Sequence, residues 1–110
     1  VSLREILVEI TRHTALRLRE RFFRRATNER ALVDALNSYM KRALLAPYLN
    51  KPGRYQLWYP GFDLLFLLEP IGDGQYRALT FMHVLRAPSE GEEVLVSYRW
   101  ASRLPSRQAL

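Results

Sequence analysis

The chain has 110 residues, 48% of them apolar, no cysteine and a formal charge of +6. That length suits a single domain with its own core, and the missing cysteines exclude disulfides, thiolate zinc sites and cysteine nucleophiles. The basic surplus comes from 15 arginines against only Lys41 and Lys51, a balance that points to polyanionic partners: nucleic acid, an acidic protein or an anionic surface.

From Leu3 to about Arg24 the apolar residues Leu3, Ile6, Leu7, Ile10, Leu18 and Phe22 recur mostly three or four apart, with Thr14 filling the gap. That spacing predicts an amphipathic helix of about six turns. Thr27 or Asn28 can cap a second helix over about residues 28–45, with Glu29 in its first turn and a buried stripe through Leu32, Ala35, Leu36, Tyr39 and Ala43. Pro47 ends it, and "APYLNKPGRY" reads as a loop between Ala46 and Gly53.

Strand signals follow. "RYQLWY", "FDLLFLLE", "QYRALTFMHVL" and "EVLVSYRW" are rich in aromatic and branched residues and are separated by "PG", "PIGDGQ" and "APSEGE". They predict strands over about 54–59, 62–69, 75–85 and 93–100, forming an antiparallel meander in which Phe62 to Leu68, apolar on both faces except at Asp63, is a central strand. The tail over residues 101–110 carries no period. The expected architecture is one α+β domain, residues 1–110, with two N-terminal helices packed on a four-stranded antiparallel sheet.

The stretch Ile10 to Arg25, "ITRHTALRLRERFFRR", holds six arginines and a histidine against a single glutamate. On a helix, Glu9, His13, Arg17, Glu20, Arg21 and Arg24 are linked by steps of three and four and form one polar stripe. His13 can transfer a proton, because imidazole titrates near neutrality, while Arg17, Arg21 and Arg24 can hold a phosphate. The plainer alternative has those arginines paired with Glu9 and Glu20 on a solvated face, each pair worth about 0.3 kcal/mol. Regular alternation along "YRALTFMHV" puts Arg77, Leu79, Phe81 and His83 on one face and Thr80 on the other, so one of Thr80 and His83 can join His13. Arg12, Arg25 and Arg99 add further cations for a polyanion, and Tyr98 and Trp100 could stack on bases or plug the core.

There is no glycine-rich phosphate loop, no paired-histidine metal spacing and no serine elbow. No cofactor and no metal are expected. The longest apolar run, Leu64 to Leu68, is far short of a membrane span of about 20 residues. "VSLREILVEI" is not a secretory signal, so a soluble, cytoplasmic protein without a membrane partner is expected.

The element "TRHTALRLRERF", a second helix, a Pro/Gly loop and strands ending in "YRALTFMHV" together resemble the small ribonuclease-toxin group that includes RelE-like, colicin-D-like and BrnT-like domains. The resemblance covers about Ile10 to Leu85 and implies that His13, Arg17, Arg21 and Thr80 form a catalytic set. It further implies metal-independent attack of a ribose 2′-OH on the adjacent phosphorus, leaving a 2′,3′-cyclic phosphate. Without catalysis, the same arginine helix would serve a binding module for nucleic acid or an acidic protein. A third reading is a self-associating domain that uses Trp58, Tyr59 and Phe62 of "WYPGF" as an apolar patch.

Overall fold

Residues 4–10 form a strand, not the opening of a helix. The computed structural model describes residues 4–39, 42–59, 63–83 and 94–101. In chain order they build β1 (Arg4–Ile10), α1 (Arg12–Arg21), α2 (Glu29–Tyr39), β2 (Arg42–Pro47), β3 (Tyr55–Tyr59), β4 (Leu64–Gly72), β5 (Gln75–His83) and β6 (Val94–Ala101). Among the described residues six strands close into a barrel in the order β1-β5-β4-β3-β2-β6. The expected four-stranded sheet under two helices is therefore replaced by a barrel, and the physical cause lies in two segments read as helix.

The first is β1. Ile6, Val8 and Ile10 are buried while Leu7 and Glu9 between them are half-buried, a period of two written in branched residues. The same stretch also fits helical spacing, and pairing decides between the two. β1 lies parallel to both β5 and β6, with Val8 opposite Tyr76 on one side and Trp100 on the other. It enters where the meander was expected to continue, so β6 does not pair with β5. β3, β4 and β5 remain an antiparallel meander.

The second is β2, "RALLAP". Its alanines and leucines favour a helix locally, but Leu44 and Leu45 pair with Trp58 and Leu57 of β3 and with Leu95 and Val94 of β6. Pairing on both sides outweighs a propensity difference of a few tenths of a kcal/mol per residue. α2 accordingly ends at Tyr39 and not near residue 45, and the loop starts after Pro47, with Gly53 at φ +80° turning the chain back.

The lumen is filled by side chains, as expected for a barrel this small. Phe66 and Trp100 meet at 4.8 Å, and Tyr98 touches both Tyr59 (5.5 Å) and Trp100 (5.6 Å) edge to face. Ala15 and Leu18 from α1 and Leu32, Val33 and Leu36 from α2 belong to the same core. Tyr98 and Trp100, read as candidate base-stacking groups, are core residues at 6% and 2% exposure. Burial pushes the Tyr98 hydroxyl far above its usual value, and neither that hydroxyl nor the Trp100 indole N–H has a hydrogen-bond partner among the described residues. Trp58 and Tyr59 are buried too, so they present no exposed contact patch; Phe62 lies outside the described residues.

Both helices are held by specific polar contacts. Asn28 caps α2, its Oδ1 accepting from the Ala31 N–H at 2.8 Å. β2 pairs with β6 only as far as Ser97, and beyond it Asn37 of α2 takes the place of a strand partner. Its Oδ1 accepts from the Trp100 N–H (2.8 Å) and its Nδ2 donates to the Trp100 carbonyl (3.1 Å). Of the expected helical stripe, Leu32 and Leu36 are buried, Ala35 is half-buried, Ala43 belongs to β2, and the Tyr39 side chain lies outside the described residues. Also outside them are Leu3, the expected strand ends at 84–85 and 93, and the tail from 102 on. No helix among the described residues is long and apolar enough to cross a membrane.

Candidate functional site

α1 begins at Arg12, capped by Thr11, and not at Leu3. Thr11 has extended dihedrals and its side-chain oxygen accepts from the Thr14 N–H, the geometry of an N-cap. The Thr11 hydroxyl also donates to Thr14 Oγ1 (2.8 Å), and Thr14 Oγ1 donates to the Leu79 carbonyl of β5 (3.0 Å). A relay of two threonines thus fixes the start of α1 against one point of β5.

That point is irregular. Leu67 pairs with Thr80 but Leu68 pairs with Ala78, leaving Leu79 as the extra residue of a bulge. Tyr76 and Ala78 face the lumen before the bulge; after it Phe81 pairs with lumen-facing Phe66. The alternation expected for this strand therefore breaks at Leu79, separating Arg77 and Leu79 from Phe81 and His83. The bulge brings Thr80 and Phe81 together beside α1.

His13, Arg17 and Arg21 stand four residues apart on α1, adjacent to its buried Thr14, Ala15 and Leu18 face. With Thr14, Thr80 and Phe81 they line a cleft of about 190 Å³. All four residues of the expected catalytic set meet in this one place, and no carboxylate among the described residues contributes to its wall. The Arg21 guanidinium lies 6.0 Å from the Phe81 ring centroid, at the outer limit of a cation–π contact. Among the described residues neither Arg17 nor Arg21 has an ion-pair partner.

The expected helical stripe is otherwise dispersed. Glu9 is on β1, where its Oε1 accepts from Arg77 Nε of β5 at 3.0 Å, so it does not neutralise the α1 arginines. Arg24 lies past the helix end and donates from Nε to the Glu20 carbonyl (3.1 Å). Arg12 is exposed at the first residue of α1, outside the cleft wall. Arg99 stands on β6 and lines a different groove together with Glu5 and Asp73.

Phe22, expected in the buried stripe, is 41% exposed just beyond α1. Its ring meets Phe81 (5.8 Å) and His83 (5.5 Å) edge to face. Of Thr80 and His83, one of which was expected to join His13, Thr80 lines the cleft with it, while His83 packs on Phe22. On the other side of Arg21 a second groove, of about 520 Å³, runs between the residues after α1 and the first turns of α2, with Arg24 and Arg25 among its lining.

Arg19 has a different task from its neighbours. Its Nε donates to the Ala26 carbonyl (3.1 Å) and its Nη2 to the Thr27 carbonyl (2.7 Å), tying down the loop that carries Phe22, Arg24 and Arg25. Nothing local in an arginine run marks this residue; its only signal is that it falls off the three-and-four stripe. Phe22, Phe81 and Thr14 were also missed as site residues, because the bulge that gathers them is a tertiary feature.

Two guanidinium groups, a hydroxyl and an imidazole around one small cleft can bind a phosphoryl group through charge-assisted hydrogen bonds. No family model matches this chain, and no curated protein and no solved structure matches it.

Proposed function

We propose that this chain is a nucleic-acid-directed basic domain that seats a backbone phosphate in the cleft between α1 and β5. The observation that carries this is the convergence of His13, Arg17 and Arg21 with Thr80 in one cleft, where no carboxylate among the described residues lines the wall. Arg17 and Arg21 neutralise the phosphate, and Thr80 can donate a hydrogen bond to a phosphate oxygen. The same groups define the catalytic form of the proposal, a metal-independent ribonuclease of toxin type. There a ribose 2′-oxygen attacks phosphorus and the bond from phosphorus to the 5′-oxygen breaks. His13 takes the 2′-OH proton or delivers one to the leaving 5′-oxygen, water serving the complementary transfer, and the arginines stabilise the added negative charge.

Binding without cleavage is favoured by a separate observation. A working proton-transfer group is normally oriented by a hydrogen bond to its second ring nitrogen. His13 is exposed and makes no hydrogen bond among the described residues.

One assay separates the two forms. End-labelled RNA is incubated with the protein in excess chelator, with His13→Ala, Arg17→Ala and Arg21→Ala in parallel, and scored for both mobility shift and cleavage. Cleavage lost in His13→Ala with the shift retained supports the nuclease. A shift weakened only by the arginine variants supports the binding module, and neither shift nor cleavage with wild-type protein rejects both.

A further inference from the structure

We propose that the nucleic acid taken by this domain is single-stranded, with one unpaired base seated against Phe22 in the groove beyond Arg21. This rests on the phosphate reading of the α1–β5 cleft. Arg21 lines both the phosphate cleft and the second groove, so the two sites share a wall. An occupant that fills both must carry an anion and an apolar surface within one short unit. A nucleotide has that composition, a phosphate linked through one sugar to a planar base.

The groove suits a base. Phe22, Ala31 and Ala35 supply apolar surface, while Arg21, Arg24 and Arg25 supply planar cations that can stack or pair with the next phosphate. Phe22 sits on a loop held by the two Arg19 hydrogen bonds, and its ring is braced by Phe81 and His83. An aromatic group braced in this way stays 41% exposed without collapsing into the core. A paired base presents only its edges, with both faces covered by its neighbours in the stack. A single strand can turn a face toward the phenyl ring.

The test is binding of a fluorescein-labelled 2′-deoxy 12-mer in chelator, read by anisotropy. A deoxy strand lacks the 2′-OH, so cleavage by the proposed chemistry does not intrude. The same strand annealed to its complement, an abasic strand of equal length and a labelled poly-glutamate peptide are compared. The expected result is that the single strand binds at least tenfold tighter than the duplex or the abasic strand at equal salt. Phe22→Ala should weaken it roughly 5- to 150-fold with the salt slope unchanged, and Phe22→Tyr should restore it; retained ellipticity shows that both variants are folded. Duplex or abasic DNA binding as tightly as the single strand, with Phe22→Ala silent but Arg17→Ala and Arg21→Ala weakened, overturns the base site and leaves the phosphate cleft standing. Tighter binding of the poly-glutamate peptide than of every DNA overturns both.

Discussion

The arginines of this protein fall on two sides of the barrel in opposite electrostatic settings. On the β1–β5–β6 side Arg77 pairs with Glu9 across the parallel strands, and Arg99 shares a groove with Glu5 and Asp73. On the α1 side Arg17, Arg21 and Arg25 have no ion-pair partner among the described residues, and no carboxylate among those residues lines the cleft that Arg17 and Arg21 border. Residue type alone does not separate a structural arginine from a ligand-binding one; the partner supplied by the opposing strand or helix does.

The largest effect should come from reversing charge on one side and then on the other. Arg17→Glu with Arg21→Glu should weaken nucleic-acid binding roughly a hundredfold or more, a change of about 3 kcal/mol, whereas Arg99→Glu should change it little; anisotropy titrations would read both. Each single Arg→Ala in the cleft should lower the slope of log affinity against log salt by about 1. Equal losses from Arg99 and Arg21 would erase the distinction between the two sides.

The scaffold beneath that surface is tested by Asn37→Ala, which leaves the Trp100 N–H and carbonyl without their side-chain partner. A loss of about 1–3 kcal/mol is expected in urea unfolding, with phosphate affinity preserved in the folded protein. Stability unchanged by Asn37→Ala would mean that α2 is held to the barrel by apolar packing alone.

A smaller effect is set by pH. The Tyr98 hydroxyl has its folded-state value raised above the ordinary 10.0 by burial. Its contribution to stability is therefore complete below pH 10 and is lost as pH rises toward the folded-state value, because the unfolded chain releases the proton first. The expected slope is about −1.4 kcal/mol per pH unit above 10. Urea unfolding of Tyr98→Phe should show that slope removed, and parallel curves for the two proteins would contradict the assignment.

The smallest effect is expected from Glu9→Gln, since Arg77 is 39% exposed. About 1 kcal/mol or less should be lost in thermal or urea unfolding, with no change in nucleic-acid affinity. A marked gain or loss of affinity would connect the paired side of the barrel to the α1 face.

Part of this design is legible in the residues. The β3–β5 meander can be read because its apolar runs are bounded by residues that set turn dihedrals, including Gly53 and Gly74 at positive φ. Three of the four cleft residues also share a legible pattern, since a spacing of four on α1 puts His13, Arg17 and Arg21 on one face whether the helix starts at Leu3 or at Arg12. β1 is ambiguous in the sequence because Leu3, Ile6, Leu7 and Ile10 satisfy a helical period while Ile6, Val8 and Ile10 satisfy a strand period. Over so few residues only a partner strand breaks the tie. The better local signal was Thr11, a capping residue in the middle of the supposed helix.

By itself, then, the sequence determined a cysteine-free, arginine-rich domain with one strongly cationic helix face and a run of antiparallel strands. Charge, spacing and turn dihedrals are properties of neighbouring residues. Tertiary structure alone decided that the sheet closes, because closure depends on β1 pairing with β5 and β6, which lie at least 65 residues away in the chain. It alone decided, too, that Thr80 meets His13 while Arg19 turns inward to its loop. The first outcome follows from a bulge whose position exists only once the barrel has formed, the second from two carbonyl groups presented by the turn between α1 and α2.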